Sequence, residues 1–459
     1  MYFVDTVELP TLGNRSYLAG GPYAAVAVDP PRDIDRVIAA AVRRGVRITV
    51  VAETHVHNDY ITGGLELAQV SGARYVVPAG AAVAFTRTPF TDGDTIGVDQ
   101  QLVLRALGTP GHTPHHTAYV LEEEQQPVAV FTGGSLLIGT VGRPDLVEPW
   151  LTRQLARAQY ASAHRLADEL ADDIPVYPTH GFGSFCSSSQ AHGETTTIGT
   201  ERKNNGALTM DVDAFVAELL EGLDDVPAYY ARMAPANAAG PAPVDLRPPA
   251  TADAEEIAAR LAAGEWVVDL RPRMAFAEGH VAHSLNFEGA GKLATYLAWL
   301  IPFGKPVTLL ARTPQQIAAA QRELVRVGID RPAAAATGEP SDWVREGEQL
   351  ASFRRACFAD LAEARRHGEE VVVLDVRRDS ERGRGWVENS IHIPIHQLQD
   401  RLDHVLPEGS PVWAHCAAGM RAAIAASLLD AAGRHVVVLD DTFDAAVREG
   451  LTLPRAAED

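Results

Sequence analysis

Thr54-His55-Val56-His57-Asn58-Asp59-Tyr60 is the stretch whose reading decides the fold of the first half of the chain. His55 and His57 are two residues apart, so in an extended segment both side chains leave on the same side and can reach one ion. Asp59 adds a carboxylate; alternatively, Asn58 or Asp59 caps the helix that follows. Ile61, Leu65 and Ala68 have the spacing of that helix's apolar stripe.

Two more histidines come from separate loops. His112 lies in the breaker-rich G-T-P-G-H-T-P (108–114), after a strand-like run at 101–107, and His180 ends a strand-like run at 176–180. Further strand-like runs at 24–28, 48–51 and 128–132 alternate with helical patterns at 152–171 and 211–223. Histidines at strand ends converge on one edge of an α/β scaffold. Neutral imidazoles around an open coordination position suit a catalytic metal, so His55, His57, His112, His180 and Asp59 are the candidate ligands.

The bulk composition narrows the function. A chain of 459 residues holds about three domains of roughly 150 residues. Its 46% hydrophobic content provides for packed cores, and its net charge of −20 argues against nucleic acid and against a basic membrane-binding patch. No apolar run reaches membrane-spanning length. The N-terminus, M-Y-F-V-D-T-V-E-L-P, lacks a basic segment followed by an apolar core. Three cysteines, Cys186, Cys357 and Cys416, do not make a disulfide framework. A soluble cytoplasmic protein with reduced thiols is expected. Cys357 sits in a helical pattern as a core thiol, and Cys186 reads as a loop thiol without a role.

The proline-rich Gly240–Ala250 reads as an extended linker. Beyond it the sequence repeats. V-V-D-L-R (267–271) matches L-D-V-R (374–377), and Gly279 and Gly385 stand ten residues after Asp269 and Asp375. G-H-V-A-H-S-L-N-F (279–287) aligns with G-W-V-E-N-S-I-H-I (385–393), and P-V-T-L-L-A (306–311) with P-V-W-A-H-C (411–416). The second copy ends its strand on Cys416, the first on Ala311. This divides the chain into 1–240, 241–350 and 351–459. Cys416, Gly419 and Arg421 precede an Ala-rich helix. A loop entering a helix N-terminus directs backbone N–H groups at the sulfur and favours a thiolate; Gly419 permits the tight backbone and Arg421 adds positive charge.

The C-x-x-G-x-R loop, with L-D-V-R and I-H-I-P upstream, resembles rhodanese-type sulfurtransferases from about Phe353 onward. This implies that Cys416 carries a persulfide. The preceding copy, without cysteine, resembles a non-catalytic rhodanese-like domain. The region to about Arg202 resembles the metallo-β-lactamase superfamily, and within it the persulfide dioxygenases and glyoxalase II-like enzymes. The motifs are T-H-V-H-N-D, G-T-P-G-H-T-P, F-T-G-G-S-L-L-I-G and V-G-R-P-D. The whole is similar to persulfide dioxygenase–rhodanese fusions: an αββα domain followed by two α/β rhodanese-like domains.

The resemblance implies oxidation of a low-molecular-weight thiol persulfide by O2, with sulfite or thiosulfate and a thiol acceptor as further partners. It leaves a homo-oligomer open. It implies one Fe(II) ion held by His55, His112 and a carboxylate, the last at the position of Gly134. It also implies that Arg143 holds an anionic part of the substrate. Tyr60 stands where a second-metal histidine belongs, which argues for one metal. The remaining set of His55, His57 and His112 also suits Zn(II), and with it a thioesterase-like hydrolase. A metal-free domain docking sulfur donors is the third arrangement.

Overall fold

The computed structural model describes residues 2–187, 193–407 and 409–454. They form two compact units: Met1–Asp245 with Arg322–Asp330, and Leu246–Gln321 with Arg331–Asp459.

Unit 1 is built on two six-stranded sheets. The first runs β1 (Phe3–Leu9), β2 (Asn14–Gly20), β3 (Ala24–Val28), β4 (Arg47–Ala52), β5 (Arg74–Pro78), β6 (Thr88–Phe90) in spatial order. The second contains β7 (Thr95–Gly97), β8 (Leu102–Gly108), β9 (Thr117–Glu123), β10 (Gln126–Gly133), β11 (Pro175–Pro178) and β12 (Thr196–Thr197), in the reverse order. Side chains alternate across each strand, and the strands are apolar on both faces. Val26 and Val28 of β3 meet Tyr119, Leu121 and Phe131 between the sheets. Ala25 and Ala27 face outward onto Val37 and Ala41 of helix Asp35–Arg44 and Leu67 of helix Gly64–Ser71. On the other side, Ala118, Val120 and Val130 pack under Ala163 and Leu166 of helix Thr152–Glu169 and Phe215 of helix Val212–Glu221. Two buried sheet faces with helices outside make an αββα sandwich.

Unit 2 holds two smaller parallel sheets. The first contains β13 (Trp266–Asp269), β14 (Leu285–Asn286), β15 (Val307–Ala311) and β16 (Ala334–Thr337), with β13 and β15 central. The second contains β17 (Arg354–Ala356), β18 (Val372–Asp375), β20 (Ile391–His392), β21 (Val412–His415) and β22 (Val436–Leu439), while β19 (Gly385–Val387) pairs antiparallel with β23 (Thr452–Pro454) outside it. The repeated D-x-R with its distant glycine has one physical cause in both copies. Arg271 donates to Asp269 at 2.6 Å and to the Gly279 carbonyl at 2.8 Å. Arg377 does the same to Asp375 at 2.7 Å and to the Gly385 carbonyl at 2.8 Å. Each buried carboxylate is thus paired, and each arginine fixes the turn eight residues beyond itself.

Two local expectations change. The helix after the histidine cluster starts at Gly64 with Gly63 at its N-cap and no side-chain cap, so neither Asn58 nor Asp59 caps it. Cys357 is not a core thiol but the half-buried N-cap of helix Phe358–Arg366. No described helix is long and apolar enough to cross a membrane.

Candidate functional site: a three-histidine centre and a cysteine loop

His55, His112 and His180 follow the C-terminal ends of β4, β8 and β11, and all three are buried. A ligand atom of each lies within 4.8 Å of those of the other two. The outer nitrogen of each ring faces an oxygen. His112 Nδ1 is 2.8 Å from the Arg143 carbonyl, so it carries the proton. Thr54 Oγ1 gives its one hydrogen to Asp29 at 2.7 Å and therefore accepts from His55 Nδ1 at 2.9 Å. His180 Nδ1 stands 3.2 Å from the Asp59 carboxylate and 3.2 Å from the Asn14 side-chain oxygen. These bonds fix the tautomers and leave three Nε2 lone pairs inward. His55 and His180 present theirs to each other at 3.3 Å, and His112 Nε2 is buried with no partner at all. Burial, reinforced by neighbouring histidines, holds His55 well below its ordinary pKa and His112 down at about 3. Three converging lone pairs in a buried site have one economical partner, a metal cation.

His57 points elsewhere. Its Nε2 is 3.1 Å from Glu53, 3.2 Å from Asp29 and 3.1 Å from the Tyr60 hydroxyl. Burial opposes charge on this ring, but Asp29 and Glu53 prevail and raise it to about 10. Its Nδ1 is buried without a partner. His55 therefore groups with His112 and His180, whereas His57 groups with Asp59 and His180 and with Asp29 and Glu53. Tyr60 puts a buried phenol, donating to the Asp29 carbonyl, where a second-metal histidine was looked for. Asp59 stands behind His180. It accepts from Asn14 at 2.7 Å, and its other oxygen lacks a partner. Cys186 is fully buried beside Asp59, Arg143 and Tyr230, and burial pushes its thiol far up.

In unit 2, Cys416 is a buried free thiol between β21 and helix Met420–Ala431. Gly419 closes the loop at φ +85, a conformation L side chains rarely adopt, and a Cβ there would lie 2.3 Å from Asp440. Arg421 does not stand free beside the sulfur: its two terminal nitrogens hold Glu381 at 2.6 and 2.7 Å. The added charge expected from Arg421 is thus largely neutralised. The copy without cysteine contributes here. Arg273 bonds Asp440 at 2.8 Å, and Tyr296, in helix Leu293–Leu300, is close enough to Arg421, Glu381 and Cys416 for their charges to act on it.

The rhodanese-like domain family matches residues 358–449. Human mitochondrial persulfide dioxygenase ETHE1 is 31% identical over 215 residues, covering 45% of this chain and 76% of its own length. The chain belongs to the persulfide dioxygenase family. The hydroxyacylglutathione hydrolase of Polaromonas sp. is also similar, 28% identical over 240 residues, covering 47% of this chain and 88% of that one. Among solved structures, a metallo-β-lactamase from Staphylococcus aureus subsp. aureus COL shares 26% identity at a TM-score of 0.66, covering 74% of this chain and 99% of its own. The αββα metallo-β-lactamase fold and the C-terminal rhodanese-like fold are both present.

The residues fit a divalent ion bound by three imidazoles, and the carboxylate expected beside His55 and His112 at position 134 is absent. At Gly134 a Cβ would lie 2.3 Å from His112 Cδ2, because the imidazole fills the place of the missing side chain. The Gly134 N–H instead donates to His116 at 2.9 Å, and His116 also contacts Thr109, so it offers no free nitrogen. Arg143 has a loop-closing role. It forms a bidentate pair with Asp145 at 2.7 and 2.8 Å and donates to the carbonyls of Phe185 and Asp224, which engages four of its five N–H donors. Sequence reading missed Asp29, Glu53, Thr54, Glu381 and Tyr296. Thr54-His55 and Thr179-His180 did carry a signal, since each threonine bonds Asp29 beside a ligand histidine.

Two outcomes follow from this geometry. Gly134→Asp should lower metal content measured by elemental analysis, because the new side chain displaces His112; a rise in metal content would contradict the packing. Glu381 is raised by burial but held at about 2, against its ordinary 4.5, by Arg421. A depressed carboxylate stabilises the fold above pH 4.5 and loses that contribution as pH falls toward 2. Glu381→Gln should therefore cost thermal stability above pH 4.5, with the difference from wild type shrinking between pH 4.5 and 2. A difference independent of pH would contradict the pairing.

Proposed function

We propose that the protein is a bifunctional sulfur-metabolism enzyme. In unit 1, one metal ion held by His55, His112 and His180 serves oxidation of a low-molecular-weight persulfide: RSSH + O2 + H2O gives RSH + sulfite + two protons. The observation that carries this reading is the set of three inward Nε2 atoms, one of them orphaned, in a chain of the persulfide dioxygenase family. A bound Fe(II) ion would supply open positions and redox capacity toward O2. The protein's own share is orientation: Thr54, Arg143 and Asp59 keep the outer nitrogens protonated, and the apolar surroundings exclude water.

In unit 2, the Cys416 thiolate attacks the outer sulfur of a donor persulfide, forming Cys–S–SH and releasing RS⁻. Sulfite or a thiolate then takes that sulfur, giving thiosulfate or a new persulfide and regenerating the thiolate. The rhodanese-like match and the loop geometry around Gly419 support this half. A reducing cytoplasm fits three free cysteines. The division into 1–240, 241–350 and 351–459 assigns the cysteine-free copy to shaping the Cys416 pocket.

A second reading, a zinc-dependent thioesterase fused to a sulfurtransferase, draws on the carboxylate-free ligand set and the similarity to a hydroxyacylglutathione hydrolase. Metal analysis with paired assays separates the two. The first reading expects one iron per chain and persulfide-dependent O2 consumption, with sulfur transfer abolished by Cys416→Ser. Iron-loaded protein that consumes no O2 with any persulfide, or zinc-loaded protein that hydrolyses thioesters, would overturn the oxygenase half. Retained sulfur transfer in Cys416→Ser would overturn the other.

A further inference from the structure

We propose that the persulfide taken by unit 1 has an uncharged, mainly aliphatic carrier with one hydrogen-bond acceptor near its sulfur, and not a charged tripeptide such as glutathione. This rests on the persulfide reading of the metal centre. A cavity of about 570 Å³ is lined by Val56 and Asn58, which alternate with His55, His57 and Asp59 in sequence, and by Thr113, which follows His112. Its apolar wall includes Leu146, Val147, Ala234 and Ala238. Helix Tyr230–Ala239 turns small residues toward it, leaving width for a chain. Such a cavity is large enough for the tail of a small thiol.

Two observations fix the chemistry of the tail. Among the described residues no lysine, arginine or carboxylate lines the cavity, and the ionisable side chains there are His115 and Tyr230. Arg143, the expected anion handle, is held by Asp145 and two backbone carbonyls and is not part of the lining. Arg87, which holds the Ala79 and Ala81 carbonyls, is not part of the lining. A carboxylate entering here would shed water with no cation to replace it, whereas methylenes gain by leaving water. The second observation is Asn58. Among the described residues its Nδ2 is buried without a hydrogen-bond partner, although the residue lines the cavity. A buried amide donor left unmade is costly, and a carbonyl on the ligand would satisfy it.

Calorimetry with unreactive S-methyl thioethers tests this on the full-length, metal-loaded protein. The probes are S-methylglutathione, N-butyryl-S-methylcysteamine and the S-methyl ethers of propane- to heptanethiol. The alkyl series should tighten about fourfold per methylene, the ratio that corresponds to about 0.8 kcal/mol. The amide-bearing probe should bind more tightly than the alkyl ether of equal length, and S-methylglutathione more weakly than both. Ala234→Asp should weaken all neutral probes. Tighter binding of S-methylglutathione, a flat alkyl series, or no binding of any neutral probe would overturn the proposal. The reaction is tested separately by O2 uptake. Neutral-probe preference without uptake from any persulfide supports the ligand class while removing the persulfide reading, and glutathione preference with intact uptake does the opposite.

Discussion

The carboxylate of Asp29 is the constraint on which unit 1's chemistry depends. It sits fully buried just past β3, in the left-handed region at φ 49. It accepts from the Thr54 backbone and hydroxyl at 2.7 Å each and from the Thr179 hydroxyl, and it stands 3.2 Å from His57. Burial would raise its pKa, but His57, Thr179 and Thr54 together hold it below the ordinary value. Thr54 belongs to the loop after β4 in one sheet and Thr179 to the loop after β11 in the other. One charge thus ties together the edges that present His55 and His180. A non-glycine residue held at positive φ at such a junction is strain maintained by its partners, as is common where geometry serves function.

The second organising feature is subtraction. Gly134 and Gly142 flank the His112 ring, and a Cβ on either would meet it at 2.3 to 2.6 Å. Gly134 leaves no hole: the His112 imidazole closes against the backbone there, with its remaining nitrogen aimed inward. His180 offers a further inward nitrogen to the same group. Tyr60 completes it by occupying the neighbouring position with a hydroxyl bonded to His57.

The fold was legible in the sequence because periodicity and motif agreed. The alternation of short apolar strands with helices gave the sandwich, and the ten-residue spacing of D-x-R and glycine gave the duplication, whose cause is the arginine-to-carbonyl bond. His55, His112 and His180 were also legible, each at a strand end. What could not be read was direction. Period-two logic placed His57 with His55, but the segment is a tight loop, and the two carboxylates that capture His57 come from Asp29 and Glu53. The partners of Arg143 and Arg421 were illegible for the same reason: Asp145 with distant carbonyls and Glu381 meet them only after folding. An acid directly after a strand, as in Val28-Asp29-Pro30, is too common a pattern to single out.

Metal affinity of the four single histidine-to-alanine variants tests the three-histidine centre most directly, by competition with a chromophoric chelator. The account predicts that His55→Ala, His112→Ala and His180→Ala each lose stoichiometric metal. His57→Ala, whose ring is held by carboxylates outside the trio, should weaken binding by only roughly 10–100-fold. If His57→Ala abolished binding while His180→Ala retained it, the centre would be wrongly assigned.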